Sequence, residues 1–95
     1  MEREKDRLYI GAVVRHFKWE LLSEAEKQTG KYTYVIRERA VHTETGEDLV
    51  IYQALYPNEA GKYVVYARPY NMFIEEVDRA KYPDIKQKYR FEVVD

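Results

Sequence analysis

Alternation of apolar and polar positions, the two-residue period of a half-buried strand, marks most of the chain. LYIGAVVRHFK enters a β-branched run at Gly11, which predicts a first strand over 11–17. Residues 32–41 and 49–56 are β-branched, aromatic or small, and the TETGE between them supplies turn chemistry, so they predict two antiparallel strands. After the turn signal PNEAG, KYVVYARP predicts a fourth strand that stops at Pro69, whose ring removes a ladder donor. KYRFEVVD predicts a last strand alternating Tyr89, Phe91 and Val93.

The hairpin sets a register. With Glu44, Thr45 and Gly46 as a three-residue loop, His42 opposes Asp48, Ala40 opposes Val50 and Ile36 opposes Ala54. The inner face then carries Tyr34, Ile36, Ala40, Val50, Tyr52, Ala54 and Tyr56, because Arg37, Arg39 and Gln53 on the other face resist burial. Glu38 breaks the pattern: it points inward opposite Tyr52 unless a bulge turns it out.

Two stretches leave the strand period. WELLSEAEKQTG has a Ser23–Glu26 capping box able to start one helical turn before Gly30, and it reads as a long first loop. In YNMFIEEV the spacing of Phe73, Ile74 and Val77 predicts a short helical or 3₁₀ turn that presses Met72 and Phe73 onto the end of a barrel. DRAKYPDIKQ is a polar, Pro-interrupted loop. The expected fold is therefore mainly β, a small five-stranded SH3-like barrel with a long first loop and a short helical turn before the last strand. An α+β roll is the alternative if residues 19–28 form a full helix. Residues 1–10 read as a charged N-terminal tail and 11–95 as one domain, since 95 residues cannot fill a second core.

Composition narrows the functional classes. Sixteen Lys and Arg against seventeen Asp and Glu give a formal charge of −1, so no global field attracts a polyanion. With no cysteine there is no disulfide, thiolate nucleophile or Cys-based zinc site, which fits a reducing cytoplasm. MEREKDR lacks an apolar h-region, and no apolar run approaches the roughly 20 residues that span a bilayer, so no membrane partner is expected.

RHFK from Arg15, H-x-E-T-G-E from His42, LVIYQALY from Leu49 and ARPYNMF from Ala67 occur in an order and spacing that resemble a family of small bacterial proteins, domain of unknown function 1653. The resemblance runs from about Gly11 to Phe91. It implies a compact SH3-like β-barrel and brings no established activity, substrate or catalytic residue. Residues 19–30 look like an insertion relative to that pattern, and 78–88 look extended.

Candidate chemistry is sparse. His16 and His42 are the only histidines, and a catalytic zinc needs about three protein ligands, so no metal site or cofactor is expected. A cross-strand pair of His42 with Asp48 accounts for the charged turn. Ser23 lies outside any nucleophile elbow, and the four glycines are too scattered for a phosphate loop, so no catalytic residue is assigned. RHFKW interleaves basic and aromatic groups, and strand alternation turns Phe17 inward and leaves His16 and Lys18 on the other face. Arg68 ends a strand, where it can clamp a carboxylate or phosphate or pair with Glu75 or Glu76.

The expected function is a non-catalytic cytoplasmic binding module for a protein, peptide or small anionic ligand. Its expected ligand-binding residues are Arg15, His16, Lys18, Glu38, Tyr52, Arg68 and Tyr70. A nucleic-acid accessory domain is the second reading and requires Arg15, Lys18, Arg37 and Arg39 to share a face. A small enzyme is the third, and requires His16 or His42 to meet Glu38 and an arginine in one pocket.

Overall fold

The computed structural model describes residues 8–94; most of the expected N-terminal tail, residues 1–7, lies outside the described residues. Five antiparallel strands form one sheet in the order β4-β3-β2-β1-β5: β1 Val13–His16, β2 Thr33–Val41, β3 Asp48–Ala54, β4 Val65–Pro69 and β5 Phe91–Val93. The strands β4 and β5 remain the two edges, so the sheet is not closed. It curls strongly all the same. The ring of Phe91 on β5 lies 5.4 Å from that of Tyr52 on β3, and the Arg68 guanidinium of edge strand β4 stands over Phe91 at 5.6 Å.

The curl encloses an aromatic core. Val14, Ile36, Val50 and Phe73 are fully buried, with Tyr34, Tyr52, Ala54 and Phe91 around them. Phe73 and Phe91 stack face to face at 4.1 Å. Burial pushes the Tyr34 hydroxyl well above its ordinary value, and its hydrogen bond to Tyr56, 3.1 Å between oxygens, acts in the same direction. Leu8 packs against this cluster.

The expected capping box forms. Ser23 accepts from the Glu26 amide at 3.2 Å, Glu26 reaches back to the Ser23 amide at 3.2 Å, and the single turn α1, Glu24–Lys27, follows. The second turn, α2, Tyr70–Phe73, starts directly after β4 and drives Phe73 into the core. Met72 does not join it and stays 44 % exposed.

The hairpin register differs from expectation in two steps. Four residues, 43–46, bridge His42 and Glu47, whose backbones are bonded at 2.8 Å, so Val41 opposes Asp48 and Ala40 opposes Leu49. The His42 imidazole accepts the Glu44 amide at 3.1 Å and caps the turn; it does not pair with Asp48. A bulge at Arg37 then shifts the register again, so Ile36 opposes Tyr52 and Tyr34 opposes Ala54. The bulge turns Glu38 outward opposite Ile51. It also places Arg39 on the inner face opposite Val50 and moves Ala40 to the outer face.

The first strand corrects a second expectation. Ala12, Val14 and His16 share the buried face, so His16 points inward at 9 % exposure. The strand stops there and a 3₁₀ turn, Phe17–Leu21, swings Phe17 into a second small cluster with Val77, Ile85 and Tyr82. The two irregular stretches build this cluster together. The Glu20 carboxylate accepts the Lys86 and Gln87 amides at 2.9 and 2.8 Å, and Gln87 donates its side-chain amide to the Arg15 carbonyl at 2.9 Å. No helix among the described residues is long and apolar enough to cross a membrane.

Candidate functional site

His16 is the last residue of β1 and the cap of the 3₁₀ turn. Its Nδ1 accepts the Lys18 amide at 3.1 Å, which assigns the neutral tautomer with its proton on Nε2. Phe17 stacks on the imidazole at 4.5 Å and Phe91 meets it edge-on at 5.0 Å. This burial, with lesser contributions from the nearby charges of Arg90, Lys18 and Arg68, pushes the imidazole down to about 3. His16 is thus a neutral hydrogen-bond donor at physiological pH.

In front of it lies a cavity of about 320 Å³. Lys18, Arg68, Lys81 and Arg90 line it against the two carboxylates of Glu76 and Asp78, so the walls carry a cationic excess. The fold fixes each arginine differently. Arg68 stands on β4 opposite Val50, and its Nε donates to the Tyr52 hydroxyl at 3.2 Å. Arg90 precedes β5; its amide donates to the Glu75 carbonyl at 2.7 Å and its Nη2 to the Glu75 carboxylate at 2.7 Å. Its Nε is buried with no partner among the described residues.

The opposing wall is a short ribbon. Glu76 bridges Tyr89, and the Val77 amide donates to the Lys88 carbonyl at 2.8 Å. Asp78 accepts the Ala80 and Lys81 amides at 3.0 and 3.3 Å, which turns the chain so that Lys81 and Tyr82 complete the rim. Arg79 ties the loop down by donating to the carbonyls of Ile85 and Gln87.

Of the seven residues expected to bind ligand, His16, Lys18 and Arg68 line this cavity, and Tyr52 stands one hydrogen bond behind it. The other three lie elsewhere. The Arg15 guanidinium sits 3.9 Å over the Trp19 ring, Tyr70 lies under Arg39 at 4.2 Å, and Glu38 is exposed on the outer face. Arg68 pairs with neither Glu75 nor Glu76; Glu75 takes Arg90 instead. Arg15, Lys18, Arg37 and Arg39 do not form one basic face: Lys18 faces the cavity, Arg15 covers Trp19, and Arg39 covers Tyr70 beyond the bulge. Among the described residues no group of three His, Asp or Glu side chains is placed to hold a metal ion.

Lys81, Arg90 and Asp78 were missed by sequence reasoning, and Glu76 entered it only as a pairing partner for Arg68. Their only local signal was Tyr82 and Ile85, two apolar residues in a polar stretch that had no evident core to join.

The model of one family, Protein of unknown function (DUF1653), matches residues 12–93, and the chain belongs to that family. No curated protein and no solved structure matches the chain.

Proposed function

We propose that this member of a family of unknown function is a non-catalytic cytoplasmic binding module, an opened SH3-like barrel that takes a small anionic ligand in the cavity in front of His16. The observation that carries the reading is the convergence of Lys18, Arg68, Lys81 and Arg90 on one cavity floored by a neutral imidazole. The Arg68 Nη1–Nη2 fork, the Arg90 Nη1 left free by the Glu75 pair and a fixed N–H donor suit an oxyanion, because each supplies directed donors and none supplies an acceptor. A volume of about 320 Å³ falls at the small end of ligand pockets.

Catalysis is the weaker reading. The cavity does bring a histidine together with carboxylates and arginines, as an acid–base site requires. Yet an imidazole pushed down to about 3, with Nδ1 already accepting a backbone amide, is a poor base near neutral pH.

The test is a thermal-shift titration with inorganic phosphate, sulfate and acetate. The expected result is a saturable rise in Tm with at least one anion, lost in Arg68→Gln and Arg90→Gln and kept in Arg15→Gln. No rise with any of the three, or equal loss in Arg15→Gln, would overturn the reading.

A further inference from the structure

A second cavity, of about 340 Å³, adjoins the first. Lys81 and Tyr82 line both, so the two spaces meet across a ridge of two residues. Their chemistry differs. Leu21, Tyr82, Pro83 and Ile85 make the second cavity largely apolar. Its Glu20 carboxylate is already occupied by the Lys86 and Gln87 amides, and Asp84 and the shared Lys81 are the other charged residues that line it.

Leu21 is 61 % exposed here, although it ends a 3₁₀ turn whose Phe17 is buried. The ridge itself is held in place: Tyr82 meets Phe17 edge-on at 4.8 Å, and the Lys81 amide is bonded to Asp78. An apolar recess with a fixed aromatic wall, open beside a cationic one, recognises a molecule with an anionic head and an apolar body. The head group follows from the donors. Arg68 approaches from edge strand β4 and Arg90 from the residue just before the other edge strand, β5, and with the lysines and the His16 N–H they offer more directions than a planar carboxylate can use. Even with Arg90 paired to Glu75, the cations outnumber the carboxylates around the cavity, which attracts a doubly charged phosphoryl group more strongly than a singly charged carboxylate.

We infer that the ligand is a small phosphomonoester with an apolar, preferably aryl, body: its phosphoryl group sits before His16, Arg68 and Arg90, and its ring crosses the Lys81–Tyr82 ridge to lie against Leu21 and Pro83. This rests on the anion-binding reading proposed above and narrows it.

Calorimetric titration of the full chain with inorganic phosphate, phenyl phosphate, benzyl phosphate and benzoate tests it. Phenyl or benzyl phosphate is expected to bind about tenfold tighter than inorganic phosphate, the gain from removing an aryl face of this size from water. Leu21→Ser, at an exposed position, should erase most of that gain and leave inorganic phosphate unchanged, whereas Arg68→Gln should weaken every phosphate. If inorganic phosphate binds and the aryl esters gain nothing, or Leu21→Ser has no effect, the two-cavity ligand is wrong while the anion site stands. Benzoate binding as tightly as phenyl phosphate would overturn the phosphoryl head. If no compound binds, both readings fall.

Discussion

The carboxylate of Glu20 accepts the backbone N–H of Gln87 at 2.8 Å, across 67 positions of sequence. Its other oxygen takes the neighbouring Lys86 amide, so one side chain from the first irregular stretch closes the second. Each loop is therefore the other's packing partner, and the wall of the cavity in front of His16 depends on both.

Glu20→Ala is expected to loosen residues 78–88 without unfolding the sheet. Hydrogen bonds to a charged acceptor contribute on the order of 1.5–3 kcal/mol, and the Phe17, Val77 and Ile85 contacts remain. Hydrogen exchange should rise at Lys86 and Gln87 while β2 and β3 keep their protection. Glu20→Gln, with one carbonyl oxygen left, should fall between. A uniform rise across the sheet would mean that the loops are not a separate unit.

His16 makes stability depend on pH in a defined window. The unfolded imidazole takes a proton below its ordinary value of 6.5, while the folded one stays neutral down to about 3. Between those values the unfolded state binds more protons, so stability falls as pH drops, by up to about 1.4 kcal/mol per pH unit. His16→Asn keeps an acceptor for the Lys18 amide but cannot titrate. Urea melts from pH 7 to 5, above most carboxylate titration, should slope for the wild type and be flatter for His16→Asn. Equal slopes would place the acid sensitivity elsewhere.

Much of this fold was legible because its inner face tolerates error. The expected register was wrong by one residue at the hairpin, where the turn uses four residues instead of three, and by two beyond the bulge. A shift of two restores the side-chain period, so Tyr34, Ile36, Tyr52 and Ala54 fall on the buried face in either register. Between the turn and the bulge the shift is one, and there Ala40 and Arg39 exchange faces. The bulge was legible in Glu38, an acid that strict alternation would have buried. The site was less so. His16 looked exposed because the strand was extended one residue too far, and Arg90 meets Arg68 only through the curl of the sheet, which no local spacing records.

The two glycines at the ends of β2 separate conformational strain from crowding. Gly30 and Gly46 both hold positive φ, 84° and 75°. A Cβ on Gly46 meets nothing within 4 Å, whereas one on Gly30 lies 3.2 Å from the Leu55 carbonyl oxygen. Gly46→Ala is expected to cost about 1 kcal/mol, the price of the left-handed backbone alone. Gly30→Ala should cost more, because the Leu55 carbonyl belongs to backbone whose amide is bonded to Thr33 and cannot move freely. Urea midpoints of the two variants check the order; equal losses would mean that the Leu55 backbone yields.

Tyr52 links the core to the cavity, since its ring packs on Phe73 at 5.1 Å and its hydroxyl accepts from Arg68 Nε at 3.2 Å. The hydroxyl positions the guanidinium; the ring holds the fold. Tyr52→Phe keeps the ring, so the core should survive with a loss of about 1 kcal/mol for one hydrogen bond. Arg68, no longer held at Nε, samples more rotamers, and ordering it on binding costs about 0.5–1.5 kcal/mol. Phosphate affinity should therefore fall a few-fold in Tyr52→Phe, with Arg68→Gln falling further and the double variant no worse than Arg68→Gln. That non-additivity identifies positioning, because two residues acting independently would multiply their effects. An additive double variant, or a Tyr52→Phe affinity equal to the wild type, would sever Tyr52 from the site.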